Sequence, residues 1–247
     1  MMIWDFQQQA QQAPPTPART LFLAAGRGDA GRVRGLLCGQ ELPRGAPLEQ
    51  VNGQNCFHAA CKKGHVDVVE LLLAHSAQHS LGLETTPTAD GRSGLLLAAY
   101  EGRLEVVQLL CRWSTANPAT ATEGAVPLWQ HVDQNGNSAV HYASWGGHLS
   151  VLSFLLETFP GDAVIATDKR NDEGMTPIQF ASAGNFVDIV SFLSSSSSGS
   201  ASGSGGGEGG ADSSSNDDDD GGDNSDRSDA GNTPFHKACQ YGALDTV

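Results

Sequence analysis

No apolar stretch of this 247-residue chain approaches the length of ~20 residues that a bilayer-spanning helix needs, so a membrane span is not expected. Basic residues are scarce: 14 Lys and Arg stand against 28 Asp and Glu, giving a net charge of -14. A chain so acidic, with no basic stripe, repels phosphate backbones and anionic headgroups, which removes nucleic acid and membrane surfaces from the expected partners. Cysteine is sparse and odd in number: Cys38, Cys56, Cys61, Cys111 and Cys239 are scattered among apolar neighbours, which is no disulfide framework. The start Met1-Met2-Ile3-Trp4-Asp5 lacks the charged and apolar regions of a signal peptide. A soluble protein of a reducing compartment is expected, cytoplasmic first, with a nuclear location as the alternative.

One segment lacks core-forming side chains altogether. Residues 194–231 contain no Leu, Ile, Val or aromatic residue, so nothing in them repays the entropy of ordering. Residues 194–230 are therefore read as a disordered acidic linker rich in Ser, Gly and Asp. Nine acids against Arg227 give this stretch -8, which leaves -6 for the rest of the chain. The Gln- and Pro-rich residues 1–18 are read as a disordered N-terminus.

What is present is a repeat. A turn, a small polar residue, a short helix of small residues, a glycine and a second apolar helix recur at least five times. The clearest copy runs Gly53-Gln54-Asn55-Cys56-Phe57-His58-Ala59-Ala60-Cys61-Lys62-Lys63-Gly64-His65-Val66-Asp67-Val68-Val69-Glu70-Leu71-Leu72-Leu73. Others begin at Gly91, Gly136 and Gly174, and Gly231-Asn232-Thr233-Pro234-Phe235-His236 opens one more beyond the acidic segment. Leu21-Phe22-Leu23-Ala24-Ala25-Gly26-Arg27-Gly28-Asp29 fits the same register without a preceding turn. The pattern resembles the ankyrin consensus closely. That resemblance implies an all-α solenoid of helix-turn-helix pairs with β-turn fingers. It would run over residues 19–193 as an N-terminal capping repeat plus four repeats, with residues 231–247 as a truncated fifth repeat.

Local chemistry agrees with the alignment. Asn55, Ser93, Ser138 and Thr176 can accept a backbone N–H as N-caps, and Pro177 suits the next position. Gly28, Gly64, Gly102, Gly147 and Gly242 fall where the first helix ends in a left-handed residue, a place that Asn185 takes in the fourth copy. His58, His141 and His236 sit where the family uses histidine to tie a turn to the adjacent repeat, whereas Leu96 and Gln179 replace it and predict looser turns there. Turn glycines are spaced by 38, 45, 38 and 57 residues, all beyond the standard 33, so inserted loops are expected near residues 77–88, 114–130 and 157–170.

Three sequence matches to chemical motifs fail in their context. Gly26-x-Gly28-x-x-Gly31 imitates a dinucleotide-binding fingerprint but follows a helix-favouring run, with no strand. Cys56, Cys61, His75 and His79 approach zinc-finger spacing, yet the repeat puts both cysteines on one short helix. Asn216, Asp218 and Asp220 mimic half of an EF-hand loop, but Arg227 stands where the bidentate Glu is required. No nucleophile has a recognisable base and orienting partner, so no catalytic activity, cofactor or metal is expected.

Ankyrin-like stacks bind through turn tips and exposed positions of the first helices on a concave face. Carried over residue by residue, these are Lys62, Lys63, Tyr100, Glu101, Tyr142, Trp145, Gln240 and Tyr241. The expected function is a monomeric scaffold or adaptor that holds another protein there. The alternative is the regulatory or substrate-recruiting part of a longer kinase, acyltransferase or ubiquitin ligase. In the linker, Ser214 and Ser215 each precede an Asp by three residues, as acid-directed kinases prefer. Purified acid-directed kinase is expected to phosphorylate both, and mass spectrometry showing neither serine modified would refute this.

Overall fold

A computed structural model describes residues 16–39, 46–117, 126–162 and 165–197. Among the described residues there are ten α-helices and no strand, and no helix is long and apolar enough to cross a membrane. The chain divides into two compact units, residues 1–134 and 135–247. The first holds three helix pairs: α1 (Pro17–Arg27) with α2 (Ala30–Cys38), α3 (Cys56–Lys63) with α4 (Val66–His79), and α5 (Gly94–Tyr100) with α6 (Leu104–Ala116). The second holds α7 (Ala139–Gly146) with α8 (Leu149–Thr158), and α9 (Pro177–Ala183) with α10 (Val187–Ser197).

Within each unit, first helices stack on first helices: α1 on α3 and α3 on α5, then α7 on α9. Small residues permit the close approach, for Ala25, Ala60, Cys61, Ala98, Ala143 and Ala181 are fully buried. One tight approach between first helices was not foreseen. Phe57 of α3 packs so tightly on α5 that a Cβ at Gly94 would lie 2.6 Å from its Cε1, so any larger residue at position 94 must displace a core ring. The second helices supply the apolar stripe through Val68, Val69, Leu72 and Leu73 on α4 and their counterparts Val151, Leu152 and Leu155 on α8.

The turns behave as the alignment requires. The Val51 and Gln54 backbones pair reciprocally at 2.7 and 3.2 Å, and the Ala89 N–H of the next turn donates to Gly53 O at 3.0 Å. A similar tip-to-tip bond joins turns in the second unit, where Asp172 N–H donates to Asn135 O, one residue earlier in its turn than Gly53, at 2.9 Å. Gly28, Gly64, Gly102 and Gly147 all have positive φ, and Asn185 adopts φ 59° in the equivalent place.

His58 is the central tie. Its Nδ1 accepts from Asn55 N–H at 3.2 Å while Asn55 Oδ1 accepts from His58 N–H at 2.9 Å, a reciprocal cap of α3. Its Nε2 bonds the Thr86 carbonyl at 2.9 Å, in the segment leading to the next repeat. His141 repeats the arrangement, with Ser138 N–H on Nδ1 at 3.2 Å and Met175 O against Nε2 at 3.2 Å. Gln179 was expected to loosen its turn, but its Oε1 accepts from Thr176 N–H at 3.0 Å, so the amide oxygen does the work of Nδ1. Leu96 has no such atom, and only Ser93 Oγ caps that helix, accepting from Leu96 N–H at 3.4 Å.

Boundaries differ in detail from the expected 19–193 array. The first helix begins at Pro17, because Thr16 Oγ1 accepts from Arg19 N–H at 3.3 Å and proline occupies N1, so residues 17 and 18 belong to the fold. The last helix runs to Ser197, where the hydroxyls of Ser194, Ser195 and Ser196 bond back to the Val190 and Phe192 carbonyls at 2.8 to 2.9 Å. Three stretches expected as loops begin as helix: α4 continues to His79, α6 to Ala116 and α8 to Thr158, since no Gly or Pro interrupts them sooner. The rest of the first inserted loop is well anchored. Leu83 is buried, Leu83 N–H donates to Ser76 Oγ at 3.0 Å, and that hydroxyl donates to Glu84 Oε2 at 2.8 Å. The remaining linker, from residue 198, and the fifth repeat lie outside the described residues.

Burial pushes the His58 ring down to about 4 from its ordinary 6.5, against the opposing pull of the Thr86 carbonyl. A proton on Nδ1 would also face the Asn55 N–H. The unfolded chain thus takes up a proton near pH 6.5 that the folded chain refuses until about 4, and stability falls as pH drops through that window. Between about pH 7 and about pH 5 the loss from this group is on the order of 2 kcal/mol. Chemical denaturation at the two pH values is expected to show His58→Gln cutting that loss, because glutamine keeps the acceptor for Asn55 and does not titrate. His58→Ala orphans the Asn55 N–H and is expected to cost about 1–3 kcal/mol more than His58→Gln at pH 7.

Candidate functional site

Two exposed clusters emerge from the first helices, one in each unit. In the first unit, Lys62 and Lys63 end α3, Tyr100 ends α5 and Glu101 follows it. The structure joins two of these residues, with Lys62 Nζ 3.8 Å from Glu101 Oε1 across adjacent repeats. Lys63 is exposed and Tyr100 half-buried. Sequence reasoning missed Arg103, whose Nε donates to Lys62 O at 3.2 Å, so a cation caps the negative end of α3. Arg103 and Lys63 line a shallow cleft of about 360 Å³ that also includes Glu105. His65 makes the corresponding contact one repeat earlier, its Nε2 lying 3.2 Å from Gly26 O. The position was visible in the sequence as the residue following each left-handed glycine, but its side-chain chemistry varies and hides the pattern.

The second unit carries an aromatic cluster. Trp145 on α7 is 47% exposed, with its ring 6.1 Å from Tyr142 at 20° and 5.6 Å from Phe180 of α9 at 34°. Phe180 in turn meets His141 edge-on at 5.7 Å. Tyr142 was expected on the binding surface, and the structure corrects this: it is 2% exposed. Three residues before Trp145 on the helix, its ring lies in the core and serves as a support. Phe180, absent from the expected surface, holds in the fourth copy the place of Tyr142 in the third. Gln240 and Tyr241 lie outside the described residues.

The thiols belong to the core. Burial pushes Cys56 and Cys111 up to about 12 and raises Cys61 further, so none is a ready thiolate, and Cys56 Sγ donates to Pro47 O at 3.4 Å. His75 and His79 face one another at 4.4 Å on α4, and burial, with the neighbouring ring, lowers the pKa of His75. Among the described residues no group of three or more His, Cys, Asp or Glu is placed to hold a metal ion. Gly26 lies within α1 and Gly31 within α2, so the glycine motif sits across a helix-helix junction.

Helix pairs tied through their turns and stacked on small-residue faces define a helical-repeat protein whose exposed chemistry lies on its first helices. The model of Ankyrin repeats (3 copies) matches residues 21–122, 89–168 and 121–203, more than half of the chain, and the chain belongs to the ankyrin-repeat family. Ankyrin repeat domain-containing protein 63 of Homo sapiens is 36% identical over 115 residues, which are 47% of this chain and 26% of that protein. Ankyrin repeat protein nuc-2 of Neurospora crassa is 31% identical over 137 residues, covering 47% of this chain and 13% of its own length. A rice protein (Oryza sativa subsp. japonica) named Probable E3 ubiquitin-protein ligase XBOS32 is 26% identical over 199 residues, covering 70% of this chain and 36% of its own length. The chain therefore spans well under two thirds of the length of each of these relatives. Ankyrin repeats are in general protein-interaction modules and typically non-catalytic.

The burial contrast between the two rings has a measurable consequence. Tyr142→Ala opens a core cavity and is expected to cost about 3–5 kcal/mol in urea denaturation, while Trp145→Ala is expected to cost less than about 1.5 kcal/mol. Equal losses would contradict the assignment of one ring to the core and the other to the surface.

Proposed function

We propose that this chain is a protein-interaction scaffold that captures a partner protein on the exposed faces of its first helices, acting as a monomer in the cytoplasm or nucleus. Trp145 carries the reading. A large ring that is nearly half exposed yet held between Tyr142 and Phe180 offers area to a partner with little side-chain entropy left to lose. Fixed, exposed tryptophans are frequent interface hot spots for this reason. In the first unit, Lys63, Arg103 and the Lys62–Glu101 pair add a charged face suited to reading side-chain charge on a partner.

A second reading has a specific observation behind it. The chain spans only 13–36% of the relatives compared above, one of which is named as a ubiquitin-protein ligase. A regulatory or substrate-recruiting role beside a catalytic domain, such as a kinase, acyltransferase or ubiquitin ligase, fits the same surface. A full-length transcript that encodes such a domain would favour this reading.

Affinity capture from native cell extract with the full chain, followed by mass spectrometry, tests the scaffold reading. Trp145→Ala is expected to reduce the retained partner at least tenfold, whereas Glu70→Ala, on the exposed side of α4, is expected to leave it unchanged. Equal retention by wild type and Trp145→Ala would remove this surface from consideration.

A further inference from the structure

The last described helix pair presents an apolar face that its counterparts bury. Val190 on α10 holds the register of Val69 on α4 and Leu152 on α8, both fully buried, but Val190 is only half-buried. Phe180 on α9 holds the register of Ala59 and Tyr142, which are buried, and is itself half-buried. A repeat array buries these positions by adding the next repeat, because each unit shares its core with its neighbours.

We propose that residues 231–247 supply that neighbour, docking on the α9–α10 face across the intervening residues 198–230. The chemistry of the segment matches the face. Gly231 precedes Gly242 by 11 residues, the spacing that separates Gly53 from Gly64, Gly136 from Gly147 and Gly174 from Asn185. Thr233-Pro234 repeats Thr176-Pro177 at the helix start, and His236 takes the place of the turn-tying His58 and His141. Ala238 falls in register with Ala60, Ala143 and Ala181, all fully buried where first helices meet. Phe235 takes the register of the buried Phe57.

The connection permits the contact. A Gly/Ser-rich segment of these 33 residues reaches roughly 30 Å on average, while adjacent packed helices lie only about 8–10 Å apart. A tether of this kind holds its end at an effective concentration of roughly millimolar order. At micromolar protein the segment therefore meets its own chain far more often than a second copy. The acids of the connection need not enter the interface, since all nine precede Gly231.

Native thiols report the docking in the full chain. Cys239 falls in register with Cys61, Ser144 and Ser182, all buried, whereas Cys38 is exposed and free. Under native alkylation with N-ethylmaleimide read by peptide mass spectrometry, Cys239 is expected to react at least 20-fold more slowly than Cys38, at a ratio independent of protein concentration. Ala238→Asp, which would bury a charge in the docked helix, is expected to bring Cys239 to the rate of Cys38 while Cys56 and Cys61 stay protected. Cys239 reacting as fast as Cys38 in the wild type would overturn the proposal. Protection that disappears on dilution would overturn it in favour of a second copy, and protection that appears only on adding cell extract in favour of a partner protein.

Discussion

In each of these two units one buried imidazole, bonded at both ring nitrogens, ties a helix start to the segment that leads to the next repeat. His58 receives one backbone N–H from its own helix start and meets one backbone carbonyl of the segment leading to the next repeat. A buried polar group left unbonded costs about 1–3 kcal/mol, so the ring holds its helix and its neighbour in register together. His141 does the same in the second unit, and the turn-tip bonds from Ala89 to Gly53 and from Asp172 to Asn135 run alongside. Apolar burial supplies most of the stabilisation of the stack, but it is non-directional. The hydrogen-bonded ties decide which residue faces which.

That register makes the surface clusters predictable consequences of position. The seventh residue of α3, α5 and α7, which is Lys62, Tyr100 and Trp145, points away from the small-residue contact face, and its neighbours in the stack decide whether it is held still. Trp145 is held because Tyr142 lies three residues earlier on its own helix and Phe180 comes from the next. Lys62 meets Glu101 because successive repeats place helix ends side by side. Such an exposed pair contributes little to stability, on the order of 0.2–1 kcal/mol, and its worth is in presenting a defined charge pattern.

Much of this was legible in the sequence because it is periodic. The repeat fixes helix count, caps, left-handed positions such as Asn185, and the two turn histidines. What escaped depends on side-chain volume and on neighbours remote in sequence. Tyr142 reads as an exposed aromatic from its residue type, although it holds the register of Ala59 and Leu97, both buried, and the structure puts its ring in the core with them. Phe180 went unremarked because its own helix gives no hint that it borders Trp145. Gln179 breaks the histidine pattern by residue type while keeping the atom that matters, an acceptor at the right distance from Thr176 N–H. Arg103 is hidden because the equivalent place holds His65 one repeat earlier, and the two side chains share only the ability to donate to a carbonyl.

The anchored connection between α4 and α5 has a further implication. Its peptide is stapled at Ser76, Leu83 and Thr86, while the ties between repeats run through His58, the turn tips and the residues after each left-handed glycine. Gln50 Nε2 donates to Pro87 O at 3.2 Å and Asn55 Nδ2 to Thr86 Oγ1 at 3.0 Å, so the bonds between repeats fall on residues 86–89, whereas those at Gly82 and Thr85 join these two residues to each other. Lengthening a loop twofold costs only about 0.6 kcal/mol of closure entropy. Foreign sequence, whether acquired over generations or grafted in the laboratory, can thus enter at Gly82 or Thr85 as cargo, with the helical frame beneath it unaltered.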